Sequence, residues 1–352
     1  MIFLFSRHSV APVVIGLVKR MLFFTGHLTN TRRWIGHCVV GFCFTMASAL
    51  IAAEPPITSL VFDPAGRSLL AASQSYITVY EWPTLMSKRK LSSSLVSIQS
   101  LAFSPDGQKL AVAGGTPAEK GVVEIRSWPN GALLTTINGH DDTVQSVAWF
   151  DNENFATGSL DHEIGICRVG QNQPIRRFKG HSRGVTAIQV IADGSLLVSA
   201  SLDQNIRVWK VETGELIKTL NNHTRAVNAL KLRPVDHEQV PELSTLPMLA
   251  SVSDDRTVRL WQPTIGRLVR FCRLDVIPLA MTWSRQGDRL AVACDDGIVR
   301  VIDPDTMETT GTISVSDSWL YAIQIHPTDG SLAVGSREQQ LQRLTKKELT
   351  EN

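Results

Sequence analysis

The chain has 352 residues, of which 43% are hydrophobic and 19% are charged, a globular composition that excludes an intrinsically disordered chain. Residues 1–53 carry five basic residues and no acid, which leaves 30 Lys and Arg against 33 Asp and Glu in the rest of the chain. Because that remainder is weakly acidic, it lacks the clustered positive charge that a phosphate-binding surface needs, and we expect no nucleic-acid partner.

The first residues of the chain have the organisation of a secretory leader. Arg32 and Arg33 precede an apolar stretch, 35–53, that ends in small residues and is followed by a polar segment. A positive end, an apolar centre and a small-residue cleavage site are typical of a signal peptide. We therefore expect a leader over residues 1–53, a folded domain over 54–352, and a location in the bacterial periplasm or cell envelope.

Two other interpretations of this leader stay open. Its apolar run, 35–53, has about the length that a membrane-spanning helix needs, so an uncleaved leader would act as a membrane anchor. That anchor would be the protein's one expected contact with a membrane. Alternatively, residues 45–53 belong to the fold, in a protein that stays in the cytoplasm.

After residue 53 the sequence repeats itself. Short apolar runs alternate with turns such as Asp106-Gly107, a pattern typical of strands joined by tight turns. Gly107 and Gly194 are 87 residues apart across two units, and Gly287 and Gly330 are 43 apart across one. A period of this length indicates a repeat architecture, and seven units fit after the leader. The predicted units begin near Thr58, Ser97, Thr143, Gly184, Ala226, Pro278 and Ser318.

The unit from Gly180 to Trp209 resembles a WD40 repeat. It has Gly-His before its first strand, Ser199 in the second, Asp203 in a turn and Ile-Arg-Val-Trp in the third. The resemblance covers essentially the whole chain after the leader. It implies an all-β fold, a seven-bladed β-propeller whose blades are four-stranded antiparallel sheets. The seventh blade would be incomplete if the leader is cleaved, because WD40 propellers usually complete it with residues that precede the first repeat.

In WD40 repeats a His, a Ser or Thr, an Asp and a Trp form a hydrogen-bonded tetrad, and the resemblance implies the same role here. In two units four positions separate Ser from Asp and six separate Asp from Trp. A third unit has Cys167 in place of the Trp, and the first two units retain only Trp82 and Trp128. The sets are His181, Ser199, Asp203 and Trp209; His223, Ser251, Asp255 and Trp261; and His140, Thr157 and Asp161.

We interpret these sets as structural and not as catalytic Ser-His-Asp groups. A hydrolase needs an exposed nucleophile beside an oxyanion hole, whereas this arrangement recurs in several units of one chain. A buried Asp needs hydrogen-bond donors, and a packed Trp needs an acceptor for its N–H group. The tetrads satisfy both needs, so we predict that they fasten the blades.

WD40 proteins tend to engage partners on the face that carries the loop after the His and the turn before the third strand. The resemblance therefore implies a partner-binding set, whose mixed charge and exposed leucines suit a protein or peptide ligand. Two longer loops, 116–121 and about 233–247, are further candidates because loops on rigid scaffolds often carry function. The predicted partner-binding residues are Asp142, Gln145, Leu160, Arg183, Thr186, Leu202, Arg225 and Asn228.

The sequence contains no motif for a cofactor, a metal ion or a catalytic centre. Cys167, Cys272 and Cys294 have neither CxxC nor zinc spacing, so we predict small buried strand residues. We predict a non-catalytic scaffold, monomeric on its own, that binds a protein or peptide. The alternatives are a periplasmic propeller enzyme or cofactor-binding subunit, and a cytoplasmic scaffold whose N-terminal segment closes the ring.

Overall fold

A computed structural model describes residues 55–234, 246–345 and 347–348. These residues form 27 β-strands in seven antiparallel sheets, and one short 3-10 helix, Ala192–Gly194. The innermost strands of consecutive sheets contact one another, and the first contacts the last, so the sheets are the blades of a closed propeller. The predicted seven-bladed architecture is confirmed, and each predicted unit begins within two residues of its blade's first strand.

Each blade uses strands that are consecutive in the chain and ordered from the centre outwards. Blades 1 to 4 contain β1 Ser59–Phe62, β2 Ser68–Ser73, β3 Tyr76–Glu81 and β4 Met86–Ser92; β5 Ser97–Phe103, β6 Lys109–Thr116, β7 Lys120–Ser127 and β8 Leu133–His140; β9 Val144–Trp149, β10 Asn154–Ser159, β11 Ile164–Arg168 and β12 Arg176–Phe178; and β13 Val185–Ile191, β14 Leu196–Ser201, β15 Ile206–Lys210 and β16 Leu216–Leu220. Blades 5 to 7 contain β17 Val227–Leu232, β18 Leu249–Ser253, β19 Thr257–Gln262 and β20 Arg267–Arg273; β21 Pro278–Trp283, β22 Leu290–Cys294, β23 Ile298–Ile302 and β24 Thr309–Ser314; and β25 Leu320–Ile325, β26 Leu332–Ser336 and β27 Leu341–Leu344.

The core lies between neighbouring blades. In blade 5 every residue of β18 is buried, because this strand is covered by a blade on each of its two faces. Between blades 5 and 6, Val252 and Leu260 lie in one apolar cluster with Met281 and Trp283. The outer strand β20 has only exposed and half-buried residues, since it faces solvent at the rim.

The turn glycines adopt the conformation that the sequence predicts. Gly66, Gly107, Gly194, Gly287 and Gly330 all have φ between 68° and 87°, a region that residues with a Cβ atom avoid. At Gly107 a Cβ atom would lie 2.2 Å from Cγ of Pro64 in the preceding blade. These turns therefore need glycine, in this case also for close contact between blades.

A recurring bulge shapes the rim of the central channel. The pairing of the first and second strands shifts by one residue at Thr186, Asn228 and Tyr321, and also in blades 2 and 6. A bulged residue is left out of the ladder, so its side chain can point in a new direction. The three side chains line the same central cavity.

Blade 7 has three strands within the described residues, and side chains connect it to blade 1. Nε1 of Trp82 donates a hydrogen bond to Oδ2 of Asp329 at 3.2 Å, and Nε2 of His326 lies 2.8 Å from the carbonyl oxygen of Gly66. The rings of Trp82 and His326 stack with centroids 5.5 Å apart. The backbone N–H of Ile57 also donates to the carbonyl oxygen of Ser336. These contacts join the two ends of the ring.

The two predicted long loops have different outcomes. Residues 116–121 form no extended loop: β6 and β7 continue to Thr116 and Lys120 and leave a turn of three residues. This prediction was wrong because the extra residues lengthen a hairpin. In the second loop, residues 235–245 lie outside the described residues, as does the predicted leader, 1–53. None of the helices that the structure describes is long and apolar enough to cross a membrane.

Candidate interaction face

Blade 4 brings its four predicted tetrad residues into one hydrogen-bonded chain. Nδ1 of His181 lies 2.9 Å from Oδ2 of Asp203, and Nε2 lies 2.7 Å from Oγ of Ser199. Nε1 of Trp209 donates to the same Ser199 oxygen at 2.8 Å. Because the ionised carboxylate only accepts, Nδ1 donates to it, and a neutral imidazole then accepts the serine proton at Nε2. Every polar group of the set is satisfied.

Blade 5 repeats this geometry. The distances are 2.8 Å from His223 to Asp255, 2.7 Å from His223 to Ser251, and 2.8 Å from Trp261 to Ser251. Ser199 and Ser251 are both fully buried. In this conformation neither serine oxygen can meet a substrate, so the arrangement can cross-link strands but offers no exposed nucleophile.

The electrostatics of the tetrads favour ionised carboxylates. Burial on its own raises the pKa of Asp203 and of Asp255, but hydrogen bonds from the histidines and from backbone N–H groups outweigh it and hold both pKa values well below their ordinary range. Burial also lowers the pKa of His223, against the opposing effect of Asp255. This histidine is therefore held in its neutral form.

Blade 3 has a shortened version of the same network. His140 contacts Asp161 at 2.7 Å and Thr157 at 2.8 Å, while Cys167 takes the place of the Trp and lies 3.9 Å from the Thr157 oxygen. Burial raises the pKa of the Cys167 thiol to about 12. Cys167 and Cys294 are buried as predicted, and Cys272 is half-buried.

Strand pairing corrects the prediction for the first two blades. Leu69 pairs with Tyr80 and Leu110 pairs with Arg126, as Leu197 pairs with Trp209 in blade 4. The Trp position therefore holds Tyr80 in blade 1 and Arg126 in blade 2. Trp82 and Trp128 lie two residues further along the chain, each before a cis proline. The error arose because the strands of these blades lack the Ser and Asp that would have set the register.

In blade 2 a buried ion pair stands where the tetrad would be. Oε2 of Glu124 accepts hydrogen bonds from Nε and NH2 of Arg126 at 3.0 and 2.7 Å, and Oε1 accepts from the backbone and side chain of Ser94. Glu124 is fully buried, and Arg126 also donates to the carbonyl oxygen of Ser92. The pair thus links blade 2 to the segment that leaves blade 1, and sequence reasoning missed it.

The tetrads fix the loops of one face of the propeller, which we call the channel-mouth face. It is made by the loops that precede each first strand and by the turns between second and third strands. Oδ2 of Asp203 accepts the backbone N–H of Ser182 in one loop, and Oδ1 accepts that of Asn205 in the adjoining turn. Asp255 does the same with Thr224 and Thr257. A rigid, preorganised face results.

The predicted partner-binding residues all lie on this face, in blades 3 to 5, but they differ in accessibility. Arg183 and Arg225 are exposed, whereas the other six are half-buried. We expected exposed leucines; however, Leu160 packs over Gly184, and Leu202 is also half-buried. The half-buried members of the set are Asp142, Gln145, Leu160, Thr186, Leu202 and Asn228.

Three of these side chains are already engaged within the protein. Oγ1 of Thr186 donates to the carbonyl oxygen of Val227 in the next blade at 2.6 Å. Nδ2 of Asn228 donates to the carbonyl oxygen of Pro278, again in the next blade. Oδ1 of Asp142 accepts two backbone N–H groups. These groups connect blades or loops, which leaves the two arginines as the freely presented members of the set.

An aromatic cluster on blade 7 was missed from the sequence. Trp319 is 43% exposed, its ring lies 6.0 Å from that of Tyr321, and the Arg337 guanidinium lies 5.8 Å above it. Trp319 and Arg337 lie in the loop and turn of the channel-mouth face, and Tyr321 lines the cavity. The detectable signal was a Trp at a position where blades 2 to 5 have small residues, namely Ser97, Thr143, Gly184 and Ala226.

Within the described residues, no group of three or more His, Cys, Asp or Glu side chains is placed to hold a metal ion. The central cavity of about 570 Å³ is lined by first-strand residues, which are mostly small, apolar or carboxamide side chains. The face itself offers binding through exposed Arg and Trp side chains and the half-buried Tyr321.

Comparison with known proteins agrees with this architecture. The sequence model of the family described as WD domain, G-beta repeat matches residues 131–166, 172–210, 214–262 and 275–303. The first three matches run from the outer strand of one blade to the third strand of the next. Such a unit includes the loop between two blades and the first three strands of the second blade. All the residues of one tetrad therefore lie within one unit, with the His before the first strand and the other members in the blade.

Several curated relatives share this similarity. The chain is 24% identical to Actin-interacting protein 1 of Drosophila melanogaster over 212 residues, or 47% of this chain and 35% of that protein. It is 28% identical to WD repeat-containing protein VIP3 of Arabidopsis thaliana over 149 residues, 38% of this chain and 45% of the relative. WD40 repeat-containing protein HOS15, also of Arabidopsis thaliana, is 37% identical over 60 residues, covering 17% and 10%. The matches thus span less than half of each relative's length.

Proposed function

Because the chain is a WD40-repeat β-propeller, we propose that it is a non-catalytic scaffold that docks a protein or peptide on its channel-mouth face. WD40 propellers are typically protein–protein interaction scaffolds. The observation that carries the proposal is the aromatic cluster of Trp319, Tyr321 and Arg337 at the rim of the channel. Trp, Tyr and Arg are the residue types that dominate binding hot spots.

The chemistry around this cluster indicates what its partner presents. Two exposed acidic residues lie near Trp319: Asp317 in the same loop and Glu338 in the adjoining turn. The Arg337 guanidinium covers the indole ring. A segment with an apolar or aromatic anchor and a nearby basic residue would complement this surface. The backbone N–H of Arg337 donates a hydrogen bond to the carbonyl oxygen of Trp319 at 2.8 Å, which joins the turn to the loop. Because these two segments are already held together, little conformational freedom is lost when such a segment binds.

The Trp319→Ala variant tests the docking face, with Phe271→Ala as a matched control. Phe271 is also an exposed aromatic, 55% accessible, with the Arg259 guanidinium 5.3 Å above its ring, but it lies on an outer strand. A partner identified with the tagged, full-length protein in its own cells should bind the Phe271 variant normally. It should bind the Trp319 variant at least about thirtyfold more weakly, as expected for a hot spot. Equal affinity for both variants would refute the assignment of the face.

We further propose that the scaffold is exported to the periplasm or cell envelope. The support comes from the order of Arg32-Arg33, the apolar stretch and the small residues before position 54. Sequencing the N-terminus of the protein isolated from its own cells tests this. A chain that begins near residue 54 supports export, whereas an intact leader in a soluble cytoplasmic fraction contradicts it.

A second candidate is a cytoplasmic scaffold in which residues 45–53 provide the closing strand. Within the described part of the chain no strand pairs with the outer edge of β27, and an unpaired edge favours pairing with another strand. The first described residues contact both ends of the ring, since the carbonyl oxygen of Pro55 accepts from Ser73 in blade 1 and Ile57 donates to Ser336 in blade 7. If this candidate holds, deleting residues 45–53 lowers the melting temperature; in the exported form it does not.

A further inference from the structure

The central channel contains an isolated positive charge. Strand pairing identifies equivalent channel positions in the seven blades. In each blade we compare the first-strand residue that pairs with the residue just before the tetrad Ser position of the second strand. In blade 5 this residue is Lys231. The other six blades have uncharged residues there: Val61, Ala102, Ala148, Gln189, Thr282 and Gln324. The channel therefore carries one cation at this level.

Nothing within the described residues neutralises this charge. The residues that line the cavity include no Asp or Glu, and the Lys231 ammonium makes no hydrogen bond or ion pair with any described residue. The side chain is half-buried, and this partial desolvation lowers its pKa. Its backbone is fixed, because Nε1 of Trp283 donates to the Lys231 carbonyl oxygen at 3.1 Å.

We propose that Lys231 forms, inside the channel, a binding site for a single carboxylate group. An ammonium group held away from bulk water without a counter-charge is unfavourable, and a bound anion removes that cost. Gln324 lines the same cavity, and its side-chain amide makes no hydrogen bond within the described residues, so its N–H groups are available to a carboxylate oxygen. Tyr321 of the docking face lines the same cavity, but this site and its test do not depend on the proposed docking function.

The charge and size of the cavity select the ligand class. One lysine balances one negative charge, whereas a phosphate dianion would need a second cation or several backbone N–H groups. A cavity of about 570 Å³ is in the usual range for small-molecule sites. The carboxylate could belong to a small organic acid or to the C-terminus of a polypeptide that enters the channel, and the experiment has one arm for each source.

The test measures thermal unfolding of the full-length protein in sodium acetate and in sodium chloride at equal ionic strength. Lys231→Met removes the charge with little change in shape, and Lys120→Met, at an exposed residue, is the matched control. Acetate should raise the melting temperature of the wild type and of the Lys120 variant beyond the chloride value. The apparent affinity for acetate should fall at least tenfold in the Lys231 variant. An equal response in all three proteins overturns the proposal.

A second measurement does not depend on any variant. In the wild type with 13C-methylated lysines, one resonance should titrate below the usual lysine range, and acetate should raise its pKa because the anion stabilises the charged form. Absence of any acetate-dependent resonance overturns the proposal. A short peptide with a free C-terminus, compared with its amidated form, distinguishes the sources. Tighter binding of the free peptide than of its amidated form shows that the ligand is a polypeptide C-terminus. Binding of acetate without binding of either peptide shows that the ligand is a small organic acid. Both kinds of binding should require Lys231.

Discussion

Removal of one hydroxyl group from a tetrad should cost more in blade 4 than in blade 3. In the Ser199→Ala variant, Nε1 of Trp209 loses its acceptor at 2.8 Å and Nε2 of His181 loses its partner at 2.7 Å. Both groups are buried, and each unsatisfied buried polar group costs about 1–3 kcal/mol. We therefore expect a loss of about 2–5 kcal/mol in the free energy of unfolding of this region.

The Thr157→Val variant is the matched comparison because it also removes a single hydroxyl group. In blade 3 the variant leaves Nε2 of His140 without its close partner and removes a 3.2 Å contact to the carbonyl oxygen of Gly165. No tryptophan N–H group depends on this hydroxyl, and the Cys167 sulfur is 3.9 Å away and forms weak hydrogen bonds. The expected loss is about 1–3 kcal/mol. The physical difference between the two blades is thus one tryptophan N–H group.

Native-state hydrogen exchange read by mass spectrometry measures these losses blade by blade, which avoids assuming that the whole ring unfolds in one step. Each 1.4 kcal/mol corresponds to about a tenfold faster exchange of the affected strands. The Ser199 variant should accelerate exchange in β13–β15 more than the Thr157 variant does in β9–β11. A loss in blade 3 as large as that in blade 4 would show that the Trp209 N–H does not depend on the serine.

Three further results are expected. Burial holds the pKa of His223 below its ordinary value, so its stabilising contribution is present above about pH 6.5 and is lost as the pH falls through the lowered value. Ring 15N shifts should show that His223 takes up its proton at a lower pH than an unburied imidazole does, and protonation at or above about pH 6.5 contradicts this. Burial raises the thiol pKa of Cys167 and Cys294 to about 12, so peptide-level labelling should be far slower in native than in urea-unfolded protein, and equal rates would exclude native burial. Glu124→Gln should lower the free energy of unfolding by about 3–5 kcal/mol, because the Arg126 charge stays buried without its partner. The double variant Glu124→Leu with Arg126→Met should lower it much less, as measured by urea unfolding. Similar losses in the two variants would mean that the unpaired charge is not the cause.

The repeat pattern allowed the blades to be predicted closely. Strand periods, turn glycines and the spacing from Ser199 to Asp203 and Trp209 are local properties, and a propeller blade is built from consecutive strands. The same reasoning failed in blades 1 and 2, where Trp82 and Trp128 were assigned to the wrong register. Without a Ser and an Asp at fixed spacing, only the pairing of strands identifies the equivalent residues.

The sequence alone determined the number of blades, their boundaries and the residues that assemble into tetrads, because these depend on spacings within one period. Tertiary structure decided which side chains are free to bind. It showed that Thr186 and Asn228 are engaged with neighbouring blades and that Trp319 is exposed. It also showed that, among the described residues that line the channel, Lys231 is the one with a charged side chain. The contacts of Thr186 and Asn228 join residues 41 and 50 positions apart in different blades, and no local pattern of residues encodes contacts over such distances.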